Sequence, residues 1–302
     1  MRLSSSILGP AIDGALSRVH AVCDLDTCSS RKVLRSFPGG RRGIRVGSHW
    51  YCSVDCFVQA AGATLFALSN RRVVEMPRIP RLSLGLLMIS RGYMTAEQLR
   101  VASEQSRWRG EDLEITLIQL GMVTEKQLAA ARSAQWGYPV LAQEHIGRIV
   151  QSDIPPSILQ SCAAVPLHYS PAAKRVLIGF VYRIEHSLLK SVEQMTGCRV
   201  EPCFITASDL AEQSERLTQV PGYREVIVEE PGSPEKMAHA LGRAAVEISA
   251  EKAEFTLCAD NIWARLAGKR GFTDVVYRLQ RAWAAQGWTQ VGYFSEPVSS
   301  TG

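Results

Sequence analysis

The chain has 302 residues, 46% of them hydrophobic and 21% charged, with a net charge of +5. This is ordinary composition for globular protein with a packed core, and the length allows two or three domains. No apolar run approaches the roughly 18 residues that a spanning helix needs, which excludes membrane insertion of that kind.

The first eighty residues carry a charge balance of +6 and the remainder −1. Residues 1–20 read as a lead-in. Asp13 and Arg18 interrupt its apolar residues, so a secretory signal is not expected and a cytoplasmic location follows. In that compartment the eight cysteines argue for metal binding or simple burial rather than disulfides.

Residues 21–70 form a cysteine-rich unit. Cys23-x4-Cys28 and Cys52-x3-Cys56 are two pairs separated by a loop. Such an arrangement places four thiolates at the corners of a tetrahedron, as a structural Zn²⁺ requires. A unit of this size is too small for a strong core, and a metal would supply its stability. His20 and His49 are alternatives for one thiolate. The segment Trp50-Tyr51-Cys52-Ser53-x-x-Cys56-Phe57 resembles the second half of FCS- or TRASH-like treble-clef fingers, in which that cysteine pair opens a helix. Here Phe57 to Leu65 reads as that helix. Between the pairs, Arg31, Lys32, Arg35, Arg41, Arg42 and Arg45 surround the turn Pro38-Gly39-Gly40. This basic Arg31–Arg45 loop is a solvated surface or a contact for nucleic-acid phosphates.

Residues 71–80, with two prolines and scattered charge, read as a linker. Residues 81–136 hold a duplication. Gly92-Tyr93-Met94-Thr95-Ala96-Glu97-Gln98-Leu99 recurs 29 residues later as Gly121-Met122-Val123-Thr124-Glu125-Lys126-Gln127-Leu128, and the same offset pairs Leu84 with Leu113, Met88 with Leu117 and Ala102 with Ala131. Each copy predicts a helix, a left-handed glycine at its end (Gly92, Gly121), and a second helix opened by a capping box (Thr95 with Gln98, Thr124 with Gln127). Met94 with Leu99, and Val123 with Leu128, have the spacing of a hydrophobic staple. Two copies of one helical unit form an interface, which suits docking more than catalysis.

Residues 137–220 predict a small α/β sandwich. Strands are expected at 163–167 and 175–180, helices at 184–196 and 207–219, with the order strand, strand, helix, strand, helix. Residues 221–233 read as a second linker. Residues 234–292 read as a last α/β segment: a helix opened by Ser233-Pro234-Glu235, strands near 254–257 and 262–266, and a helix from Thr273 to about Ala285. Residues 293–302 are a tail. The fold class is therefore α+β and multidomain. Cys162, Cys198, Cys203 and Cys258 read as core residues, and His145, His168, His186 and His239 lack metal-ligand spacing.

Leu84-Gly85-x-x-Met88-Ile89-x-x-Gly92 with Thr95-x-x-Gln98-Leu99, its second copy, and Gln135-Trp136-Gly137-Tyr138-Pro139 resemble the N-terminal domain of GspE/PilB-type bacterial secretion and pilus ATPases. Val165-Pro166-Leu167, Met195 to Val200 and Ile205 to Leu210 resemble the α/β half of that domain. Residues 234–292 look like a worn version of the next part, where a helix precedes a strand pair. The resemblance implies docking onto a protein partner in a type II secretion or type IV pilus machine. It also implies cyclic di-GMP as a ligand, since relatives of the MshEN type hold it across both repeats. The positions carried over are Leu84, Gly85, Gly92, Leu99, Leu113, Gly121, Leu128 and Gln135. In the MshEN pattern each repeat opens Arg-Leu-Gly and closes with Gln. Here Ser83 and Asp112 stand in place of both arginines, Glu114 replaces the second glycine, and Gln105 is one residue early. Phosphates would lose their cationic partners and meet two acids. The sequence also lacks Gly-x-x-x-x-Gly-Lys-Ser/Thr, so no ATPase activity is expected.

Overall fold

The structure, a computed structural model, describes residues 22–28, 43–71, 82–142, 144, 146, 152–218 and 223–279. In the cysteine-rich unit, β1 (Ile44–Val46) and β2 (His49–Tyr51) form a hairpin and lead into α1 (Val54–Asn70). The hairpin turns at Gly47, whose φ of 57° lies in the left-handed region that glycine adopts without steric cost. Ser53 caps α1 by accepting from the Cys56 amide. Phe57, Ala61 and Leu65 recur every four residues and form its buried stripe.

The duplication folds as four helices: α2 (Leu84–Ser90), α3 (Ala96–Arg109), α4 (Leu113–Gln119) and α5 (Glu125–Trp136). Both capping boxes are present. The Gln98 amide donates to Thr95 Oγ1 at 3.2 Å and the Thr95 amide to Gln98 Oε1 at 2.8 Å; Gln127 and Thr124 repeat both distances. Gly92 and Gly121 have φ of 70° and 63°, the backbone that ends each first helix. Met88 and Leu117, Met94 and Val123, and Ala102 and Ala131 are buried together as equivalent pairs. The units interlock, since α2 packs on α5 and α3 on α4.

A bridge from Val140 to Phe204 leads into the α/β part. It contains α6 (Pro156–Ser161), β3 (Ala164–Ser170), β4 (Arg175–Phe180), α7 (His186–Thr196), β5 (Arg199–Phe204) and α8 (Ala207–Thr218). β3 and β4 are antiparallel, while β5 lies parallel to β4 after the α7 crossover. The expected order is observed, with α6 added.

β6 (Glu225–Val228) falls within the stretch read as a second linker. Beyond it come α9 (Pro234–Glu247), β7 (Ala250–Cys258), β8 (Asn261–Gly268) and β9 (Gly271–Arg278). The helix expected from Thr273 to about Ala285 is corrected here: 271–278 is strand, and 280–302 lie outside the described residues. The reason is the two-residue turn Lys269-Arg270, with Gly268 opposite Gly271. It folds Val275, Val276 and Tyr277, residues suited to a pleated surface, back onto β8.

The sheet has the order β2-β1-β7-β8-β9-β6, so the hairpin of the cysteine-rich unit joins strands some two hundred residues later. β1 runs parallel to β7, with Arg45 opposite Lys252 and Val46 opposite Ala253. Side chains alternate across the sheet. Ile262, Ala264, Leu266, Val275 and Tyr277 face α1 and α9, whereas Trp263 and Val276 pack with Leu188, Val192 and Met195 of α7 and Ile158 of α6.

Between the sheet and α7 lies a buried polar cluster. Asp274 is fully buried and accepts from Trp263 Nε1 at 2.7 Å, from Arg265 Nε at 2.9 Å, from Arg265 Nη2 at 2.8 Å and from the Tyr223 hydroxyl. Arg265 also donates to the carbonyls of Met195 and Asp153. Burial, and then the Asp274 carboxylate, push the Tyr223 phenol far above its ordinary range. Two substitutions grade these interactions by thermal melting. Asp274→Ala strands a buried guanidinium and is expected to cost about 3–5 kcal/mol. Thr95→Ala removes one cap and is expected to cost about 1 kcal/mol.

Candidate metal centre and repeat module

The four sequence-selected cysteines converge. The sulfurs of Cys23, Cys28, Cys52 and Cys56 all lie within 4.8 Å of one another. Cys28 to Cys52 is 3.6 Å, Cys52 to Cys56 is 3.7 Å and Cys56 to Cys28 is 3.6 Å. In a tetrahedron with metal–sulfur bonds of about 2.3 Å, sulfurs are separated by about 3.8 Å. The cluster therefore has the dimensions of a four-thiolate metal site.

Local structure explains the convergence. The Asp24 amide donates to the Trp50 carbonyl at 3.0 Å, and the Trp50 amide to Asp24 Oδ2 at 2.6 Å, which ties the Cys23–Cys28 segment to β2. The Cys28 amide closes a turn on the Leu25 carbonyl at 3.0 Å. Cys52 ends the hairpin, and Cys56 sits in the first turn of α1 beside its cap; burial pushes its thiol up, against the pull of the Ser53 hydroxyl toward thiolate. Burial and then the neighbouring thiols Cys28 and Cys56 push the Cys52 thiol up to about 12; a bound metal would reverse that preference by holding thiolates directly. His49 is exposed and stands 3.9 Å from Asp24 rather than in the cluster. His20 lies outside the described residues, as does the basic loop apart from Arg45, which is exposed on β1. Cys198, Cys203 and Cys258 are buried in the core and Cys162 partly so. Burial alone pushes the Cys203 thiol up to about 12.

The positions carried over for nucleotide binding serve packing in this structure. Leu84, Leu99, Leu113 and Leu128 belong to the shared apolar cluster of the repeats. Gly85 is required by close approach, since a Cβ there would stand 2.8 Å from a Leu99 methyl. Gln135 donates from Nε2 to the Leu82 carbonyl at 2.6 Å, joining the end of α5 to the start of α2. Ser83 and Asp112 are helix caps, accepting from the amides of Leu86 and Glu114.

The second repeat holds a feature that the sequence reading missed. Glu114, in the place of Gly85, forms an ion pair with Arg132, in the place of Ser103. Arg132 is 4% exposed; it donates from Nη1 to the Val181 carbonyl at 2.5 Å and lies 5.0 Å over the Tyr182 ring. Desolvation lowers its pKa to about 10. The pair thus binds the repeats to the α/β part, across a small cleft of about 100 Å³ that Glu125, Ile205 and Thr206 also line. The signal available in the sequence was a double departure from the repeat, an acid and a base arising at two positions together.

No protein-family model matches the chain. It is 28% identical over 127 residues to the type IV pilus assembly ATPase PilB of Thermus thermophilus, a match covering 41% of this chain and 14% of that protein. The chain therefore spans about one seventh of the length of this relative. Among solved structures, it is similar to MshE with cdg (21% identity, TM-score 0.38, covering 45% of this chain and 99% of that one). It is also similar to the N-terminal domain of XpsE (18%, TM-score 0.35, covering 44% and 92%). The chain carries a GspE/PilB N-terminal-like domain, related to the N-terminal domains of type II secretion and type IV pilus ATPases. Among the described residues no helix is long and apolar enough to cross a membrane.

Glu114→Ala is expected to cost about 3 kcal/mol by leaving Arg132 buried without its carboxylate. Glu114→Ala/Arg132→Met is expected to recover part of that loss, which denaturant unfolding of the single and double variants measures.

Proposed function

We propose that this chain is a non-catalytic docking or regulatory protein that binds a protein component of a type II secretion or type IV pilus machine at the cytoplasmic side. The observation that carries the reading is the chemistry of the repeat module. Where a phosphate ligand would need cations, Ser83 and Asp112 cap helices and Arg132 is turned inward onto Glu114 and Val181. Among the charged side chains that the module offers to solvent stand three large apolar ones: Leu82 and Leu86 at the start of α2 are 66% and 58% exposed, and Trp108 near the end of α3 is 87% exposed. Exposed side chains of this kind anchor protein partners. The region homologous to PilB supplies the class of machine.

Capture of the cognate ATPase or platform protein by the full chain is the test, together with loss of capture in Leu86→Asp. Capture of neither protein counts against docking. Cyclic di-GMP is the competing ligand. Calorimetry at high micromolar nucleotide is expected to give no heat, and saturable binding would replace the docking reading with a sensor.

The four-cysteine cluster is proposed to hold a structural Zn²⁺ in a treble-clef-like setting, with Cys23, Cys28, Cys52 and Cys56 as thiolate ligands. The sulfur separations and the buried, helix-capped geometry support it. Elemental analysis is expected to find one zinc per chain, and Cys52→Ser to abolish stoichiometric retention. A metal-free wild-type protein that takes up no zinc would overturn it.

A further inference from the structure

α1 has two attachments that belong to different parts of the chain. Its first turn carries Cys56 and follows Cys52, so its N-terminus is tied to the thiol cluster. Its body is part of the C-terminal layer. Phe57, Ala61 and Leu65 share one buried cluster with Met237, Leu241 and Ala245 of α9. The two helices approach through small residues: Gly62 faces the Ala238 methyl, a Cβ on it falling 3.7 Å away, and a Cβ on Gly242 would stand 2.5 Å from a Val58 methyl.

The strand contact between these parts is weak by itself. β1 and β2 have three residues each, and β1 pairs with β7 at two positions. Strands this short do not persist without outside support. Among the described residues, the cluster supplies a crosslink of the Cys23–Cys28 segment, the hairpin and α1 into one body. Without it, that body rests on β7 and α9 through a short ladder and the apolar contacts of Ile44, Phe57, Ala61 and Leu65.

Resting on the zinc reading above, we infer that the four-thiolate centre is a latch for the C-terminal sheet. Metal occupancy decides whether α1 stays seated on α9 and whether β1 covers the edge of β7. Binding replaces thiol protons with metal–sulfur bonds and releases those protons to solvent. Loss of the metal removes the crosslink, unseats α1, and leaves β7 an open edge with Leu241 and Ala264 uncovered. The repeat module lies outside this linkage, because its core is made from its own four helices. Metal state therefore alters the C-terminal surface while the docking module stays folded.

Hydrogen exchange read by mass spectrometry on the full chain tests the latch, before and after zinc is removed by a chelator under reducing conditions. The expected result is exchange faster by about tenfold or more in Val54–Asn70, Pro234–Glu247 and Ala250–Cys258. Ala96–Arg109 and Glu125–Trp136 should be unchanged, and added zinc should restore the first three. Zinc that leaves without altering Pro234–Glu247 or Ala250–Cys258 overturns the latch and spares the zinc reading. Absence of any zinc, with none taken up, overturns both. Equal loss of protection in the repeats overturns the selective linkage. Coupling must also run backwards. Gly242→Val, which pushes on Val58 from α9 and replaces no thiol, is expected to weaken zinc retention about tenfold against a chromophoric chelator. Gly242→Ala serves if the larger residue prevents folding. Unchanged retention in a folded variant overturns the latch.

Discussion

β8 is buried on both faces, and the architecture around it follows from that constraint. Ile262, Trp263, Ala264 and Leu266 have no exposure to solvent, so a single layer of helices cannot shield the strand. One face is covered by α1 and α9 and the other by α6 and α7. The chain recruits these helices from the cysteine-rich unit, the C-terminal segment and the α/β part. Apolar burial of this kind contributes about 25 cal/mol per Å², and that driving force joins segments far apart in sequence.

The polar cluster on the α7 face adds direction to this packing. Arg265 reaches Asp274, its cross-strand partner on β9, and two carbonyls belonging to the α/β part. Apolar layers tolerate sliding; a buried guanidinium whose donors have fixed acceptors does not, because each lost hydrogen bond leaves a buried charge poorly satisfied. Arg132 has the same role on the other side of the α/β part, where it fastens α5 to the Val181 carbonyl. Two buried arginines thus fix the middle of the molecule to its neighbours, while the outer surfaces of α2 and α3 are left exposed.

The two copies of the repeat share one core and differ in the chemistry around it. Ser83 and Asp112 each supply a cap acceptor, and Glu114 with Arg132 makes an internal pair. These changes preserve the helical duplication, because the apolar positions Met88, Leu117, Ala102 and Ala131 that build its core are kept. They change what each copy presents to its surroundings. A fold can be retained by its core while the chemistry of its surface is reassigned.

Local signals were read correctly where the interaction that matters is itself local. The capping boxes at Thr95 and Thr124, the left-handed glycines at 92 and 121, and the Cys52–Cys56 segment that opens a helix all act within a few residues. β9 was misread as a helix because Thr273 to Tyr277 has no strong periodicity alone, and its state is decided by pairing with β8. The ladder from β1 to β7, the seat of α1 on α9, and the meeting of Arg265 with the α/β part had no signature in the sequence at all. Each depends on which apolar faces find one another once the chain collapses, and that choice is made by burial among residues more than two hundred positions apart. The sequence by itself determined the repeats, their caps and the thiol set; the tertiary structure alone decided that the cysteine-rich unit completes the C-terminal sheet, because only there could both faces of β8 leave water.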